Sequence, residues 1–392
     1  MSEVIDQIDA KDAVTPRTAL AEGQFRTQQE RLDYIFSSPQ VVLEELTRVG
    51  YMTNIETAYT LWHAYHLDLP IIQEGPAGAG KTQLAVSVSK ITHMRIVRLQ
   101  CYPGITADQA IGRYDESLRQ LYVLVMKDRQ IDFEEIGKEI KHRKFFITGP
   151  LLESIESPEK CILLIDEVDK VPHEFEAMLL ELLSVWELSS PGLGTIVATT
   201  KPLTFLTSNN ERDLADPLLR RSAYIEVKHP TALLEAQIVA FKTSSLPMET
   251  HVFIAGLAQA LRLYPMQKHP SISEMSNIAS AMELSGLTTI LPEHRERMLP
   301  LLAKRKRDLG ALRLSDRFAN VVMQANDYVY QVKLKLAVKK GILGAEALRL
   351  NGEAIRKSAE IRHSLDRVEI DEFPEDEMKQ IQADDEARKG RQ

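Results

Sequence analysis

The sequence predicts an α/β domain, built on a parallel sheet with helices on both faces, followed by a smaller all-helical domain. Two observations support this fold class. Short apolar strands alternate with helical patterns through the first part of the chain, and such alternation is typical of a parallel sheet covered by helices. After Pro230 the strand signal stops, and the residues up to about 365 carry only helical patterns.

The length and composition limit the possible organisation. A chain of 392 residues is longer than one ordinary domain, so two packed domains with tails are expected. The net charge of −8 argues against a protein that coats nucleic acid by bulk electrostatics. We predict a flexible tail over 1–30, the α/β domain over 31–229, a helical lid domain over 230–310, a helical extension over 311–368 and an acidic tail over 369–392.

Cysteine usage and hydropathy predict a cytoplasmic protein. Cys101 and Cys161 each stand beside an apolar stretch, and the sequence has no Cys-x-x-Cys pair, so neither a zinc site nor a disulfide framework is expected. The first thirty residues lack the apolar run of a signal peptide, and no apolar span is long enough to cross a bilayer.

The elements of the α/β domain follow from local patterns. A helix is predicted to start after Asn54, its N-cap, because apolar residues recur from Ile55 to Tyr65 at helical spacing. Residues 189–198, with Pro191, Gly192 and Gly194 in the middle, predict a hairpin. Strands are predicted at Pro70–Glu74, Arg95–Cys101, Cys161–Ile165, Pro202–Thr207 and Tyr224–Val227.

The strand at Pro70–Glu74 leads directly into a phosphate-binding loop. This loop matches G-x-x-x-x-G-K-[ST] between a strand and a helix, the setting that the motif requires. Its glycines let several backbone N–H groups point at one phosphate, Lys81 supplies a positive charge, and the Thr82 hydroxyl suits Mg²⁺. A glycine-rich turn with a chance lysine is disfavoured by the complete octet. The predicted ATP-binding residues are Gly75, Pro76, Ala77, Gly78, Ala79, Gly80, Lys81 and Thr82.

An acidic pair follows the apolar strand Cys161–Ile165. Asp166 and Glu167 stand where that strand ends, the edge at which α/β sheets bind ligands. Asp166 is predicted to hold Mg²⁺, and Glu167 to polarise the attacking water as a general base. A strand that meets a solvated turn is the alternative, and the phosphate loop upstream disfavours it. Asp169 completes a D-E-x-D string similar to that of helicases, but no Ser-Ala-Thr tripeptide follows.

Two further positions complete the candidate site. Asn209 ends the next apolar strand and is predicted to sense the γ-phosphate or to orient the water, with a turn asparagine as the alternative. Arg220 and Arg221 end a short helix before the last strand, where an arginine can act on the ATP of a neighbouring subunit. The alternative is that they complement the helix dipole, and each arginine can have a different role.

The order of these motifs resembles that of AAA+ ATPases, and three longer strings are similar to the MoxR family, in the branch near the carbon-monoxide-dehydrogenase maturation ATPases. The resemblance covers roughly residues 45–310. The strings are Arg98–Gly104, Leu164–Lys170 with Glu174–Glu181, and Leu206–Asn210 continuing to Arg220–Ser222.

The resemblance implies a homo-oligomeric ring, usually a hexamer, that remodels a protein client or helps to insert a metal cofactor. It also implies a partner with a von Willebrand factor A domain. In this family an insertion corresponds to residues 107–149, the hairpin at 189–198 faces the central pore, and Gly50 and Tyr51 line the adenine pocket. The lid string at 270–275 lacks the sensor arginine of many relatives, which leaves Arg317 as the alternative source.

The motifs bear on four classes of function. An ATP-driven protein remodeller or maturation chaperone fits the motifs best. A nucleic-acid motor on the same core is the main alternative, and the acidic charge disfavours it. The helical second domain and the arginine pair argue against a small-molecule kinase. The presence of Lys81, Asp166 and Glu167 argues against a nucleotide-binding scaffold without turnover.

Overall fold

The computed structural model describes residues 25–126, 133–190, 193–264, 266–313, 315–339 and 356. Contacts divide the chain into two units between Lys228 and His229. Most of the predicted N-terminal tail and all of the acidic tail lie outside the described residues. A helix begins at Gln28, near the end of the range predicted as a tail. The Thr27 hydroxyl caps this helix by accepting the N–H of Glu30 at 3.2 Å.

A five-stranded parallel sheet forms the centre of the first unit, as predicted. The strand order is β2-β5-β8-β1-β9, and every neighbouring pair is parallel. This order brings the ends of β1, β5 and β8 side by side. The strands are β1 Ile71–Glu74, β2 Ile96–Gln100, β5 Ile162–Asp166, β8 Leu203–Ser208 and β9 Ala223–Glu226, each within about a residue of its predicted position.

Helices cover both faces of this sheet, which also confirms the prediction. Alternate residues of the central strands enter two separate cores. Ile71, Leu164 and Phe205 belong to one core, whereas Ile72 and Leu163 belong to the other. The helices of the first core are α1 Gln28–Ile35, α2 Pro39–Arg48, α3 Ile55–Leu67 and α4 Lys81–Thr92; those of the second are α5 Ala107–Ile111, α8 Pro150–Ile155, α9 His173–Val185 and α10 Asp216–Leu219.

Local sequence signals account for two of these elements. The Asn54 side chain accepts the N–H of Thr57 at 3.0 Å, so Asn54 is the N-cap of α3 as predicted. The predicted hairpin is confirmed as β6 Glu187–Ser190 paired with β7 Gly194–Val197, with residues 191 and 192 outside the described residues.

The segment between α5 and α8 contains a small sheet that the sequence did not predict. Gly112 starts its first strand with φ 127°, and a Cβ there would lie 2.4 Å from the carbonyl oxygen of Ile147. The partner strand therefore passes too close for any residue with a side chain. The elements are β3 Gly112–Tyr114, α6 Glu116–Met126, α7 Phe133–Glu139 and β4 Phe146–Thr148, with β3 and β4 antiparallel.

The second unit is all-helical in its described residues, as predicted. One core joins its first helices to its last, since Val252 and Ala255 belong to the same cluster as Phe318 and Val322. The predicted division at residue 310 therefore does not coincide with a break in this core. The helices are α11 Ala232–Lys242, α12 Met248–Leu263, α13 Ile272–Leu284, α14 Arg295–Leu302, α15 Lys306–Arg313 and α16 Ser315–Lys339.

Cys101 and Cys161 are free, buried thiols. Burial raises the pKa of Cys101 to about 12, so the thiol stays protonated at neutral pH. Among the described residues, no group of three or more His, Cys, Asp or Glu side chains could hold a metal ion. The described helices also include none that is long and apolar enough to span a membrane.

Candidate nucleotide-binding site

The predicted phosphate loop, acidic pair and Asn209 converge where β1, β5 and β8 end. The phosphate loop follows β1, Asp166 and Glu167 lie at the end of β5, and Asn209 follows β8. Because the strands are parallel neighbours, these groups share one edge of the sheet, the usual ligand site of such folds.

The phosphate loop is shaped by its glycines. At Gly75 a Cβ would lie 2.0 Å from the carbonyl oxygen of Val227, so only glycine fits beside β9. Gly78 and Gly80 adopt φ 79° and 97°, the left-handed region that favours glycine. Helix α4 then begins at Lys81 without a side-chain cap, which leaves its first N–H groups suited to an anion.

The Lys81 ammonium is almost buried and bonded to three oxygens. Its Nζ donates to the carbonyl oxygens of Gly75 at 2.6 Å and Pro76 at 2.9 Å, and to Oδ1 of Asn209 at 2.8 Å. Burial lowers the pKa of Lys81, and the negative charges of Asp169, Asp166 and Glu167 oppose that shift. The predicted lysine and the predicted sensor asparagine are thus in direct contact.

Asp166 is held by three donors and is 5% exposed. Thr82 Oγ1 donates to its Oδ1 at 3.2 Å, Thr207 Oγ1 donates to the same oxygen, and an Arg98 guanidinium N–H donates to Oδ2. A hydroxyl and a carboxylate at this separation are the hard oxygen ligands that Mg²⁺ prefers, and phosphate oxygens normally complete such a set. The predicted pair Thr82 and Asp166 therefore fits a nucleotide-bound Mg²⁺.

Glu167 has a left-handed backbone, with φ 61° and ψ 48°. Its N–H donates to Thr207 Oγ1 at 2.9 Å, which fixes the turn. Its carboxylate Oε2 accepts from Lys170 Nζ at 2.8 Å and from Gln100 Nε2 at 3.1 Å. Both bonds involve Oε2, and a carboxylate has a second oxygen that can accept a hydrogen bond from a water molecule while they remain.

Asp169 connects the acidic turn to the end of β8. Its Oδ2 accepts the N–H of Asn209 at 2.9 Å and that of Glu211 at 3.1 Å. The side chain is buried, and its Oδ1 has no hydrogen-bond partner. Asp169 therefore sets the position of Asn209, a function that the similarity to a helicase box did not suggest.

The three arginines after β8 differ sharply in their surroundings. Arg212 donates to Glu176 and to the carbonyl oxygen of Val171 at 2.7 Å, so it stabilises the fold of its own chain. Arg220 and Arg221 are exposed at the end of α10. Arg220 lies 3.8 Å from an Asp216 carboxylate oxygen, and Arg221 donates to the Pro217 carbonyl at 3.3 Å. Neither contact would hold its arginine away from a neighbouring molecule.

Gly50 and Tyr51 follow α2, at φ 83° for Gly50. The Tyr51 N–H bonds to the carbonyl oxygen of Leu46 at 2.9 Å, and its ring packs on the core beneath α3 and α4. Burial raises the pKa of Tyr51 to about 12, so it stays neutral. Their assignment to an adenine pocket stays a prediction.

Several residues around this site were not predicted to act in it. Arg98 and Gln100 share one face of β2 and reach Asp166 and Glu167. The sequence does indicate that these two residues share a face, since they are polar residues at alternate positions in an otherwise apolar strand. Thr207 and Glu176 gave no such signal, because a strand threonine and a helix glutamate are common on solvated faces.

Comparison with known proteins agrees with this geometry. Residues 70–222 match the model of the AAA domain of the dynein-related subfamily. A protein of Staphylococcus epidermidis is 24% identical over 238 residues, which is 59% of this chain and 82% of that protein. A protein of Staphylococcus haemolyticus is 23% identical over 238 residues with the same coverage, and one of Staphylococcus saprophyticus is 22% identical over 259 residues, 64% of this chain and 90% of that protein.

These three relatives are described only as uncharacterized proteins, so they add no function to compare. The matched segment contains the phosphate loop, the Asp166–Glu167 pair, Asn209 and both exposed arginines. Together the fold and the match show that residues 70–222 form a AAA domain.

Proposed function

We propose that this protein hydrolyses ATP in a ring of like subunits and uses the cycle to remodel a protein client or to assist the maturation of an enzyme, as MoxR-type AAA+ ATPases do. The single observation that carries the ATPase part is the contact of Lys81 with Asn209 beside the Thr82–Asp166 pair. A phosphate-binding cation, a metal-binding pair and a polar sensor at one sheet edge are the groups that phosphoryl transfer to water needs.

Each side chain has a defined part in this chemistry. The loop amides and Lys81 would bind the β- and γ-phosphates, and Lys81 would exchange its carbonyl partners for phosphate oxygens. Thr82 and Asp166 would hold Mg²⁺, which when bound neutralises charge on those oxygens. The Glu167 carboxylate would orient a water molecule and accept its proton, and the Asn209 amide would help to position that water.

The ring and the client class rest on different support. Arg220 and Arg221 are exposed, and the described structure gives them only weak contacts in their own subunit. An arginine that completes a neighbour's site would explain that arrangement and would make assembly necessary for turnover. The hairpin β6–β7 and the strings similar to the MoxR family support a protein client reached through a pore, with a von Willebrand factor A domain protein as partner.

The test of the ATPase is Glu167→Gln. This variant should bind ATP as the wild type does and turn over more slowly by roughly 10² or more, because it loses the proton acceptor. Glu174→Gln, an exposed glutamate on α9, is the matched control and should retain wild-type turnover. Steady-state hydrolysis near wild type in Glu167→Gln would contradict the assignment of the base.

The same variant tests the ring. Mass photometry of Glu167→Gln should show larger assemblies with ATP than without, because bound ATP would join neighbours through the exposed arginines. A monomer at every nucleotide and protein concentration would contradict the ring. Stimulation of the wild-type ATPase by DNA, and not by a von Willebrand factor A domain protein, would favour a nucleic-acid motor instead.

A further inference from the structure

The chain between β8 and α10 is a short connection with a candidate functional group at each end. Asn209 begins it, and after Ala215 comes α10, which Arg220 and Arg221 directly follow. We call residues 209–215 the connecting segment. It has no regular secondary structure of its own, so its shape depends on what holds it.

Two buried carboxylates hold this segment, one near each end. Asp169, 4% exposed, accepts the backbone N–H groups of Asn209 and Glu211. Glu176, 2% exposed, accepts the N–H of Ala215 through Oε2 at 2.9 Å and binds Arg212 through Oε1. Both Glu176 oxygens accept hydrogen bonds, which offsets the cost of burying that carboxylate, whereas Asp169 accepts only through Oδ2.

Arg212 links the two residues that carry these buried carboxylates. Besides Glu176, its guanidinium donates to the carbonyl oxygens of Asp169 at 3.3 Å, Val171 at 2.7 Å and Asp213 at 3.0 Å. One planar group thus joins the turn after β5, the start of α9 and the connecting segment. A lysine could not reach these acceptors together, because it offers three donors from a single atom.

The first residue of the connecting segment, Asn209, lies in the nucleotide-binding site of its own chain. Asn209 accepts from Lys81, and the charge of Asp169 acts on Lys81 as well. The far end, at Ala215, sets the start of α10, and the exposed arginines directly follow that helix. The connecting segment therefore joins Asn209 to these arginines, held near one end by Asp169 in the turn after β5 and near the other by Glu176 on α9.

We infer that the Glu176–Arg212 pair is a positioning device that fixes Arg220 and Arg221 for the neighbouring subunit's ATP and ties them to Asn209 of their own site. This inference rests on the proposed function, because it requires hydrolysis at sites shared between subunits. In this role neither Glu176 nor Arg212 contacts the nucleotide. Both act through the connecting segment.

The test uses Glu176→Gln and mixed rings. Glutamine can still accept the Ala215 N–H, but its amide removes the charge that holds Arg212. The variant should bind a fluorescent ATP analogue with wild-type affinity, since Lys81 and the phosphate loop are unchanged. Its turnover should fall by about tenfold or more, the scale expected when a transition-state arginine is misplaced.

Mixing with Lys81→Ala subunits separates this role from a local one. Those subunits cannot use their own site but carry a correctly held arginine pair, so turnover per Glu176→Gln subunit should rise when they are added. Loss of turnover without any rise on mixing would overturn the inference, as would wild-type turnover in Glu176→Gln alone. Arg212→Lys, which keeps the charge pair and loses the fork, should show the same rescue and serves if Glu176→Gln fails to fold.

Failure of the proposed function would look different. If wild-type protein does not hydrolyse ATP, or if Arg221→Ala and Arg220→Ala leave turnover intact, there is no shared site to position and the proposed function fails. If Arg221→Ala is rescued by Lys81→Ala subunits but Glu176→Gln is not, only the positioning role is wrong.

Discussion

Replacing Lys81 with methionine tests the phosphate loop most directly. Methionine has a similar length and no charge, so the change removes the ammonium and leaves most of the packing. In the structure that ammonium makes three hydrogen bonds of 2.6, 2.9 and 2.8 Å, and these bonds show how closely oxygen acceptors can surround it. We expect Lys81→Met to bind ATP far more weakly than the wild type.

The magnitude follows from the number of charged bonds lost. A hydrogen bond to a charged group contributes about 1.5–3 kcal/mol net, so two such bonds to the β- and γ-phosphates amount to at least about 3 kcal/mol. That loss corresponds to an affinity lower by roughly 100-fold or more. The three protein oxygens also lose their donor, so the free energy of unfolding should fall by about 1–3 kcal/mol, which the domain should survive.

The assay is titration with a fluorescent ATP analogue, with circular dichroism to confirm the fold. Lys90→Met is the matched control, because Lys90 is exposed in the last turn of the same helix α4. It should bind as the wild type does. If Lys81→Met binds within about threefold of the Lys90→Met control, a difference below 1 kcal/mol, then Lys81 does not contact the phosphates and the loop assignment is refuted.

Three further predictions concern other parts of the molecule. Arg221→Ala should keep nucleotide affinity and lose turnover on the order of 10³, with Arg220→Ala as the comparison, and unchanged rates in both variants would remove the shared-site model. Arg262→Ala should lower the free energy of unfolding by roughly 3–5 kcal/mol in urea titrations, because it leaves the fully buried Glu235 without its bidentate partner at 2.8 Å. The control Arg305→Ala removes an exposed arginine and should change that free energy by less than about 0.5 kcal/mol. Equal effects of the two substitutions would contradict the argument. Burial lowers the pKa of His251, so the folded state resists protonation of this residue and the free energy of unfolding should fall as pH drops below about 6.5. His251→Gln should weaken this pH dependence between pH 7.5 and 5.5. An identical pH slope in the variant and the wild type would exclude His251 as the source of the pH dependence.

The sequence by itself determined the sheet, the helical second unit and the position of the site. Strand periodicity and the phosphate-loop octet depend on neighbouring residues only, and Asn54 caps α3 through a bond three residues away. Such local rules can be applied without knowledge of the fold. The same local logic placed Asp166, Glu167 and Asn209 at strand ends, where parallel pairing brings them together.

Only the tertiary structure decided which side chains cooperate at that site. Glu176 and Arg212 are 36 residues apart, and Arg98 and Asp166 are 68 residues apart, so their pairing depends on how helices and strands pack. The structure also distinguished Arg212, which bonds to groups of its own chain, from the exposed pair Arg220 and Arg221. Sequence cannot make that distinction, because burial and hydrogen-bond partners are properties of the packed chain and not of the residue type.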